Sequence, residues 1–296
     1  MANLKEIRTR ITSVQSTMQI TSAMKMVAAA KLRKAQNAVT VMRPYAAKLQ
    51  EIMQDLSSSL ENSGENVLTT DRAPEKVLIV VITSNRGLCG AFNINVVKEG
   101  VKLTETQFAT QAQKGHVSFF CIGKKGAEAL RHRGFAITET EAAIFDRLSF
   151  DNVVPIAEKL MQQFVDGTYD RIVLVYNRFK NAAVQILQSE QFLPVAEQPS
   201  VDAVEKQHKH VDYIFEPGKE AIISELIPKT LKVQFYKALL DSFAAEHGAR
   251  MTAMHQATDN ATALLKDLKL TYNKARQASI TNEILEIAGA AEALKG

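Results

Sequence analysis

The sequence contains no tryptophan and only two cysteines, Cys89 and Cys121, among its 296 residues. Two isolated thiols cannot form the dense disulfide framework of small secreted domains, so we expect a protein of a reducing compartment. Apolar runs are short as well, and none approaches the ~20 residues that a helix needs to cross a bilayer. We therefore predict a protein that does not insert into the membrane directly.

Acidic residues are also scarce over the first 50 positions, where Glu6 stands against nine lysines and arginines, a formal charge of +8. The whole chain carries only +4, so the remainder contains a segment that is acidic on balance. A concentrated basic helix indicates an acidic partner, such as nucleic acid, anionic lipid or an acidic protein loop. The alternative is a basic face that meets only solvent.

What the sequence has in abundance is apolar residues at alternating intervals of three and four near both ends. This spacing is typical of a coiled coil, because 3.5 residues per turn keeps one stripe facing a partner helix. It predicts one long helix from Asn3 to about Leu60 and another from Lys219 to Lys295. Lys25 lies on the first stripe, which favours a specific partner for the basic segment. Pro44 predicts a kink or a break in the first helix.

The middle of the chain alternates short β-branched runs with helical patterns. This order predicts a small, Rossmann-like α/β domain with a mostly parallel sheet. We expect strands over 77–83, 116–122 and 171–176, helices over 91–103, 123–133 and 150–165, and an added edge strand over 184–193. The chain is thereby divided into a coiled-coil helix at 1–60, an α/β domain at 74–195, a loop and foot segment at 196–218, and a coiled-coil helix at 219–296.

No set of residues in the chain forms a convincing catalytic site. The glycine-bearing turns at 84–90 and 123–126 lack the spacing of dinucleotide-binding and phosphate-binding loops, so we interpret them as connections between strand and helix. Cys89 has no histidine nearby in the sequence, and the six histidines do not show the spacing of metal ligands. We predict a chain that is not an enzyme by itself, with no catalytic residue, cofactor or metal.

The C-terminal segment from Ile280 to Leu294 is apolar on nearly every face after Glu286. A helix that is apolar all round must be buried on all sides, yet this one is too short to span a membrane. A partner helix of the same chain can cover only one side. The pattern therefore predicts an apolar sleeve supplied by other chains.

Four motifs of this sequence resemble the gamma subunit of the rotary (F-type) ATP synthase. The most specific are at the two ends, and together the motifs extend over both ends and much of the middle of the chain. They are Ile280-Thr281-x-Glu283-x-x-Glu286-x-x-x-Ala290-Ala291, Ile20-Thr21-x-Ala23-Met24-x-Met26-Val27-Ala28-Ala29, Arg86-Gly87-Leu88-Cys89-Gly90 and Tyr272-Asn273-Lys274-Ala275-Arg276-Gln277.

This resemblance implies a long antiparallel coiled coil of the two terminal helices above a central α/β domain. It implies a non-catalytic rotor shaft of a proton-translocating ATP synthase, which couples rotation of the membrane c-subunit ring to conformational change and ATP synthesis in the beta subunits. The expected partners are the hexameric ring of alpha and beta subunits, the epsilon subunit and the c ring, and not nucleic acid. The alternative is an α/β enzyme or adaptor that dimerises through a coiled coil.

The resemblance also implies roles for particular residues. Contacts with acidic loops of the beta subunits are expected at Met24 and Lys25, and by extension at Lys31, Arg33 and Lys34. Contacts of the tip are expected at Arg276, Gln277, Thr281 and Glu283, and the apolar tip adds Ile287. Tyr213 and Glu216 correspond to the foot that meets the c ring. Without a chloroplast-type regulatory insert or a transit peptide, the sequence resembles a bacterial subunit, peripheral at the cytoplasmic face of the plasma membrane.

Overall fold

The computed structural model describes residues 4–58, 67–195 and 219–293. It forms two compact units, one made of Met1–Ala29 with Arg250–Gly296 and the other of Ala30–Ala249. The predicted loop at 196–210 and the predicted foot residues Tyr213 and Glu216 lie outside the described residues. The division into four segments drawn from the sequence remains a prediction.

Both terminal segments form single long helices, as the heptad spacing predicts. Helix α1 extends over Leu4–Ser58 and helix α6 over Lys219–Ala293. Pro44 lies inside α1 and Pro228 inside α6, and neither proline ends its helix. The break considered at Pro44 is therefore absent, although a proline there removes one backbone hydrogen bond.

The α/β unit contains the remaining elements. They begin and end close to the predicted positions, with one additional strand, one additional short helix and a 3-10 turn at Ala143–Phe145. In chain order they are β1 (Val77–Ile82), α2 (Phe92–Glu105), α3 (Ala109–Gln113), β2 (Val117–Ile122), α4 (Lys124–Arg131), β3 (Ile137–Glu141), α5 (Phe150–Val165), β4 (Arg171–Phe179) and β5 (Gln185–Leu193).

The five strands form one sheet in the order β3-β2-β1-β4-β5. Strand β1 pairs in parallel with β2 and β4, and β2 pairs in parallel with β3. Strand β5 pairs antiparallel with β4 at the edge, so the sheet is mostly parallel, as predicted. Strand β3 is the one strand of this sheet that the sequence did not predict, because Ile137 is its only strongly apolar residue.

The sheet is covered by helices on both faces, and alternate residues of each strand face opposite layers. Leu78, Val80 and Ile82 of β1 lie in one core with buried residues of α5 and of the 227–239 segment of α6. Val77, Ile79 and Val81 lie in the other core with α2 and α4. Burial on both faces explains why β1 is an unbroken apolar run.

Candidate partner-binding surfaces

Within the unit of residues 1–29 and 250–296, α1 and α6 pair through hydrogen bonds between their seams. The hydroxyl oxygens of Thr21 and Thr258 are 2.9 Å apart, and the Thr262 hydroxyl donates to the Met18 sulfur over 3.4 Å. Moving backwards along α1 therefore moves forwards along α6, so the helices are antiparallel here. The same register, continued by whole turns, sets Val14 opposite Leu265.

Polar residues on the seams are what define this register. Thr21 is one of the two residues that interrupt the apolar stripe of α1, and its side chain is buried. Each threonine hydroxyl also lies within hydrogen-bonding distance of a carbonyl of its own helix, at Met18 and Met254. A polar pair on a mainly apolar seam fixes register because any slip separates the two hydroxyls.

The last turns of α6 carry large apolar side chains that this chain leaves exposed. Ile280, Ile284, Leu285 and Ile287 are 47%, 60%, 63% and 70% exposed, and every residue from 280 to 291 is exposed. Isolated apolar residues on a surface are ordinary, but a contiguous set of this size is typical of an interaction site.

All five residues predicted for the tip contact lie on this exposed part of α6 or just before it. The side chains of Arg276, Gln277, Thr281, Glu283 and Ile287 are exposed. The Thr281 hydroxyl donates to the Gln277 carbonyl oxygen over 2.9 Å, and Ser279 donates to the Glu283 carboxylate over 3.3 Å. These local bonds occupy single oxygens and leave the guanidinium, the amide and the Ile287 side chain facing outwards.

The residues predicted to meet acidic loops differ in exposure. Met24 and Lys25 are half-buried in the unit of residues 1–29 and 250–296. Lys31, Arg33 and Lys34 belong to the α/β unit and are exposed, whereas Leu32, Ala35 and Val39 of the same helix are buried. The three cations therefore lie on the outer face of α1, where an acidic partner can reach them.

The turn after β1 was the sequence's strongest candidate for a phosphate-binding loop, but its polar groups already form hydrogen bonds with the start of α4. The first backbone N–H groups of α4, at Lys124, Lys125 and Gly126, donate to the Asn85 side chain, the Ser84 carbonyl and the Thr83 hydroxyl. A phosphate at a helix N-terminus would need those same N–H groups. Cys89 is buried, and its sulfur accepts a hydrogen bond from the Asn93 amide over 3.2 Å. The arrangement supports a structural connection at this turn.

Several further apolar residues of α1 and α6 are exposed although the sequence did not predict them as contact residues, because they lie off the heptad stripe. Ile20, Met26 and Val27 on α1 are 58–66% exposed, and Leu264 and Leu270 on α6 are about half exposed. An apolar residue outside the seam of a predicted coiled coil is the signal that would have identified them, because a solvent-facing position is normally polar.

Comparison with known proteins shows the family of the chain. The protein family described as ATP synthase matches residues 3–294. The ATP synthase gamma chains of Flavobacterium psychrophilum and Flavobacterium johnsoniae are each 60% identical over all 296 residues and over the whole of each relative. The gamma chain of Chloroherpeton thalassium is 47% identical over 100% of this chain and 99% of that relative.

Solved structures show the same fold. A chain from the central stalk and c-ring structure of the Tetrahymena thermophila mitochondrial ATP synthase superposes with a TM-score of 0.60 at 26% identity, over 80% of this chain and 99% of that one. A chain of the Euglena gracilis mitochondrial enzyme, in a structure of its OSCP, F1 and c-ring, gives 0.71 at 23% identity, over 98% and 94%.

The fold and these matches define a central-stalk subunit of a rotary ATP synthase, and so a subunit of a membrane-associated complex. The chain belongs to the ATP synthase gamma chain family. Within the described ranges, none of the helices has the length and apolar character required to traverse a lipid bilayer.

Proposed function

We propose that this gamma chain is the non-catalytic rotor shaft of a proton-translocating ATP synthase. It couples rotation of the c-subunit ring to the conformational changes by which the beta subunits make ATP. The observation that carries the proposal is the exposed apolar end of α6, where Ile284, Leu285 and Ile287 are each at least 60% exposed. A shaft that turns inside a ring needs such a surface, because apolar contact is non-directional and holds the axis without fixing an angle.

The tip contact is proposed for Arg276, Gln277, Thr281, Glu283 and Ile287. These side chains are exposed on successive turns of α6, so they face different sides of the helix. A ring of alpha and beta subunits around the helix would meet them in turn as the shaft rotates. Hydrogen bonds of the four polar residues would then supply angle-dependent contacts beside the apolar ones.

The contact with acidic loops of the beta subunits is proposed for Met24, Lys25, Lys31, Arg33 and Lys34. The support is the net positive charge of the first 50 residues together with the exposure of the last three cations. Charges of this kind attract acidic loops over roughly a Debye length, about 8–10 Å at moderate salt. The contact is therefore electrostatic and needs no catalytic group on this chain.

The remaining partners and the location rest on the family relationship. The foot residues Tyr213 and Glu216, which lie outside the described residues, are proposed to meet the c ring, and the α/β domain is proposed to bind the epsilon subunit. The bacterial origin of the gamma chains of 60% identity supports a peripheral position at the cytoplasmic face of the plasma membrane.

A coiled-coil dimer, the alternative considered from the sequence, is not favoured. A dimer would need the α1 seam for a second chain, but Thr21 and Met18 of that seam already contact Thr258 and Thr262 of the same chain. A seam occupied within the chain leaves the off-seam apolar residues for partners.

The experiment replaces Lys25, Arg33 and Lys34 together by glutamate in the assembled enzyme. We expect fewer protons pumped per ATP hydrolysed than in the wild type, with a larger deficit at low salt than at high salt because salt screens exposed charges. Exposed pairs contribute only about 0.2–1 kcal/mol each, which is why three changes are combined. The control is a triple reversal of exposed cations of the α/β unit, Lys98, Lys114 and Arg133. An unchanged coupling ratio in the first variant at low salt would remove these cations from the mechanism.

A further inference from the structure

One arginine of the α/β unit connects three separate elements. The Arg43 side chain, on α1, donates from Nη2 to the carbonyl oxygen of Phe179 at the end of β4, over 2.8 Å. The same nitrogen donates to Oδ1 of Asp241 on α6, over 3.0 Å. The Asp241 side chain is only 1% exposed, whereas the Arg43 side chain is 47% exposed, so the pair joins a buried carboxylate to an arginine at the edge of the helix–sheet contact.

Two further contacts lie seven residues to either side of Asp241 on α6. Gln234 donates to Oε1 of Glu190 on β5 over 2.5 Å, and the Tyr176 hydroxyl of β4 donates to the other oxygen of that carboxylate over 2.8 Å. Gly248 approaches the β4–β5 turn so closely that an added Cβ would lie 3.1 Å from the Ala182 carbonyl oxygen. A spacing of seven is two helical turns, so Gln234, Asp241 and Gly248 share one face of α6.

The β4–β5 turn that meets this face is itself held by hydrogen bonds. The Asn181 side-chain oxygen accepts from the backbone N–H groups of Ala183 and Val184, over 3.0 and 2.7 Å. The hairpin is further paired along its length, from Ile172 with Leu193 to Phe179 with Gln185. A hairpin this well bonded moves as a single body when α6 presses on it.

The contacts are directional, which distinguishes them from the apolar packing around them. Hydrogen bonds weaken steeply with angle and distance, so they oppose sliding and twisting of one element over another, whereas apolar contact does not. Stability does not explain the Asp241 charge, because burial raises the pKa of this carboxyl despite the nearby Arg43 guanidinium. An ion pair that takes a carboxylate out of water can often be replaced by apolar residues with little loss of stability, so fixed geometry is the property that the pair adds.

We propose that these contacts form a hairpin lock, made of Arg43, Gln234, Asp241 and Gly248 against the β4–β5 hairpin, which transmits twist between the α/β domain and its two long helices. The proposal rests on the rotor function and names the residues of this chain that keep the rotor stiff. Its members are positioning residues that touch no substrate.

The test compares the torsional stiffness of single rotating enzymes that carry the wild-type chain or a variant. The variant Arg43→Met/Asp241→Leu replaces the ion pair by apolar side chains of similar size, so the thermal midpoint and the yield of complex should stay close to the wild type. We expect stiffness to fall about twofold, since directional bonds are lost while packing remains. Asp241→Asn, whose amide oxygen still accepts from Arg43, should retain wild-type stiffness.

The matched control is the ion pair of Lys232 on α6 with Glu158 on α5, whose charged atoms are 2.6 Å apart. This pair does not include a residue of the β4–β5 hairpin. The variant Lys232→Met/Glu158→Leu should keep wild-type stiffness. If the Arg43 and Asp241 variant does not assemble, Gln234→Leu/Glu190→Leu removes the neighbouring contact and should soften the rotor in the same way.

Failure of the lock and failure of the proposed function give different results. Wild-type stiffness in the variants of both contacts, in an enzyme that rotates and pumps normally, overturns the lock alone. Equal softening in the control pair also overturns it, because any polar contact of α6 would then act alike. A wild-type chain that assembles with alpha and beta subunits without rotating would overturn the rotor function itself.

Discussion

The apolar end of α6 leads to the sharpest prediction, the replacement of Ile287 by aspartate. Ile287 is 70% exposed, so in the isolated chain the new carboxylate stays in water. Exposed substitutions of this kind change the free energy of unfolding by about 0.5 kcal/mol at most.

In the assembled enzyme the same carboxylate would enter the proposed sleeve of alpha and beta subunits. An unpaired charge that loses its water costs several kcal/mol unless it protonates or moves. A penalty of about 3 kcal/mol weakens association more than about a hundredfold. Ile287→Asp should therefore leave the isolated chain folded and sharply reduce assembly, and Ile287→Asn, which carries no charge, should reduce it less.

The assay is the yield of intact complex by size exclusion, at matched expression of all subunits. Circular dichroism of the isolated chain verifies that the fold is intact. Val184→Asp is the matched control, because Val184 is 46% exposed, lies in the β4–β5 turn and is not among the residues proposed for the tip contact. Wild-type yield with Ile287→Asp would mean that the tip is open to water, and the sleeve would have to be abandoned.

Three other predictions concern the chain by itself. Cysteines in place of Val14 and Leu265, which the register of Thr21 with Thr258 sets opposite each other, should form a disulfide on mild oxidation. Cysteines in place of Val14 and Lys269, one helical turn further along α6, should not. Equal disulfide yields in the two variants would disprove the register. Gly123→Ala should lower the free energy of unfolding by more than about 2 kcal/mol, because the φ of Gly123 is +102° and the new Cβ would lie 2.2 Å from the Thr83 carbonyl oxygen. Gly134→Ala should lower it less, because the φ of Gly134 is +79° and the space around it is open. Urea titration measures both changes. Burial raises the pKa of the Cys121 thiol to about 12, so in a Cys89→Ala background it should resist thiol reagents at pH 8 until urea unfolds the chain; rapid labelling of the native protein would contradict this.

The long helices and the central sheet could be predicted because their patterns are local. A heptad stripe and a β-branched run each reveal one element without reference to the rest of the chain. Strand β3 could not be predicted this way, since Thr138, Glu139, Thr140 and Glu141 follow Ile137 without a further apolar residue. It is a strand because the edge of β2 offers it backbone hydrogen bonds, a partner that sequence patterns do not show.

The contribution of α6 to the α/β core was also hidden from the sequence. Its heptad spacing continues from Leu226 to Ala275, yet one face of residues 227–239 is buried in the α/β core whereas every residue from 280 to 291 is exposed. Asp241 and Glu246 lie off the heptad stripe, where a coiled coil normally faces solvent, but both are buried. Only the position of the sheet decides which polar residues of the helix become internal, and that position is a long-range property.

The chemistry of contacts changes along α6, and the change fits the work proposed for it. Around Asp241 the helix meets its own domain through hydrogen bonds of fixed length and direction, which suit two bodies that must turn together. Near Ile287 it presents apolar side chains, which suit two bodies that must turn past each other. Exchanging the two kinds of contact should therefore impair the shaft in opposite ways. Apolar residues at the hairpin lock should let the shaft twist within its domain, and charged residues at the tip should oppose its insertion into the ring.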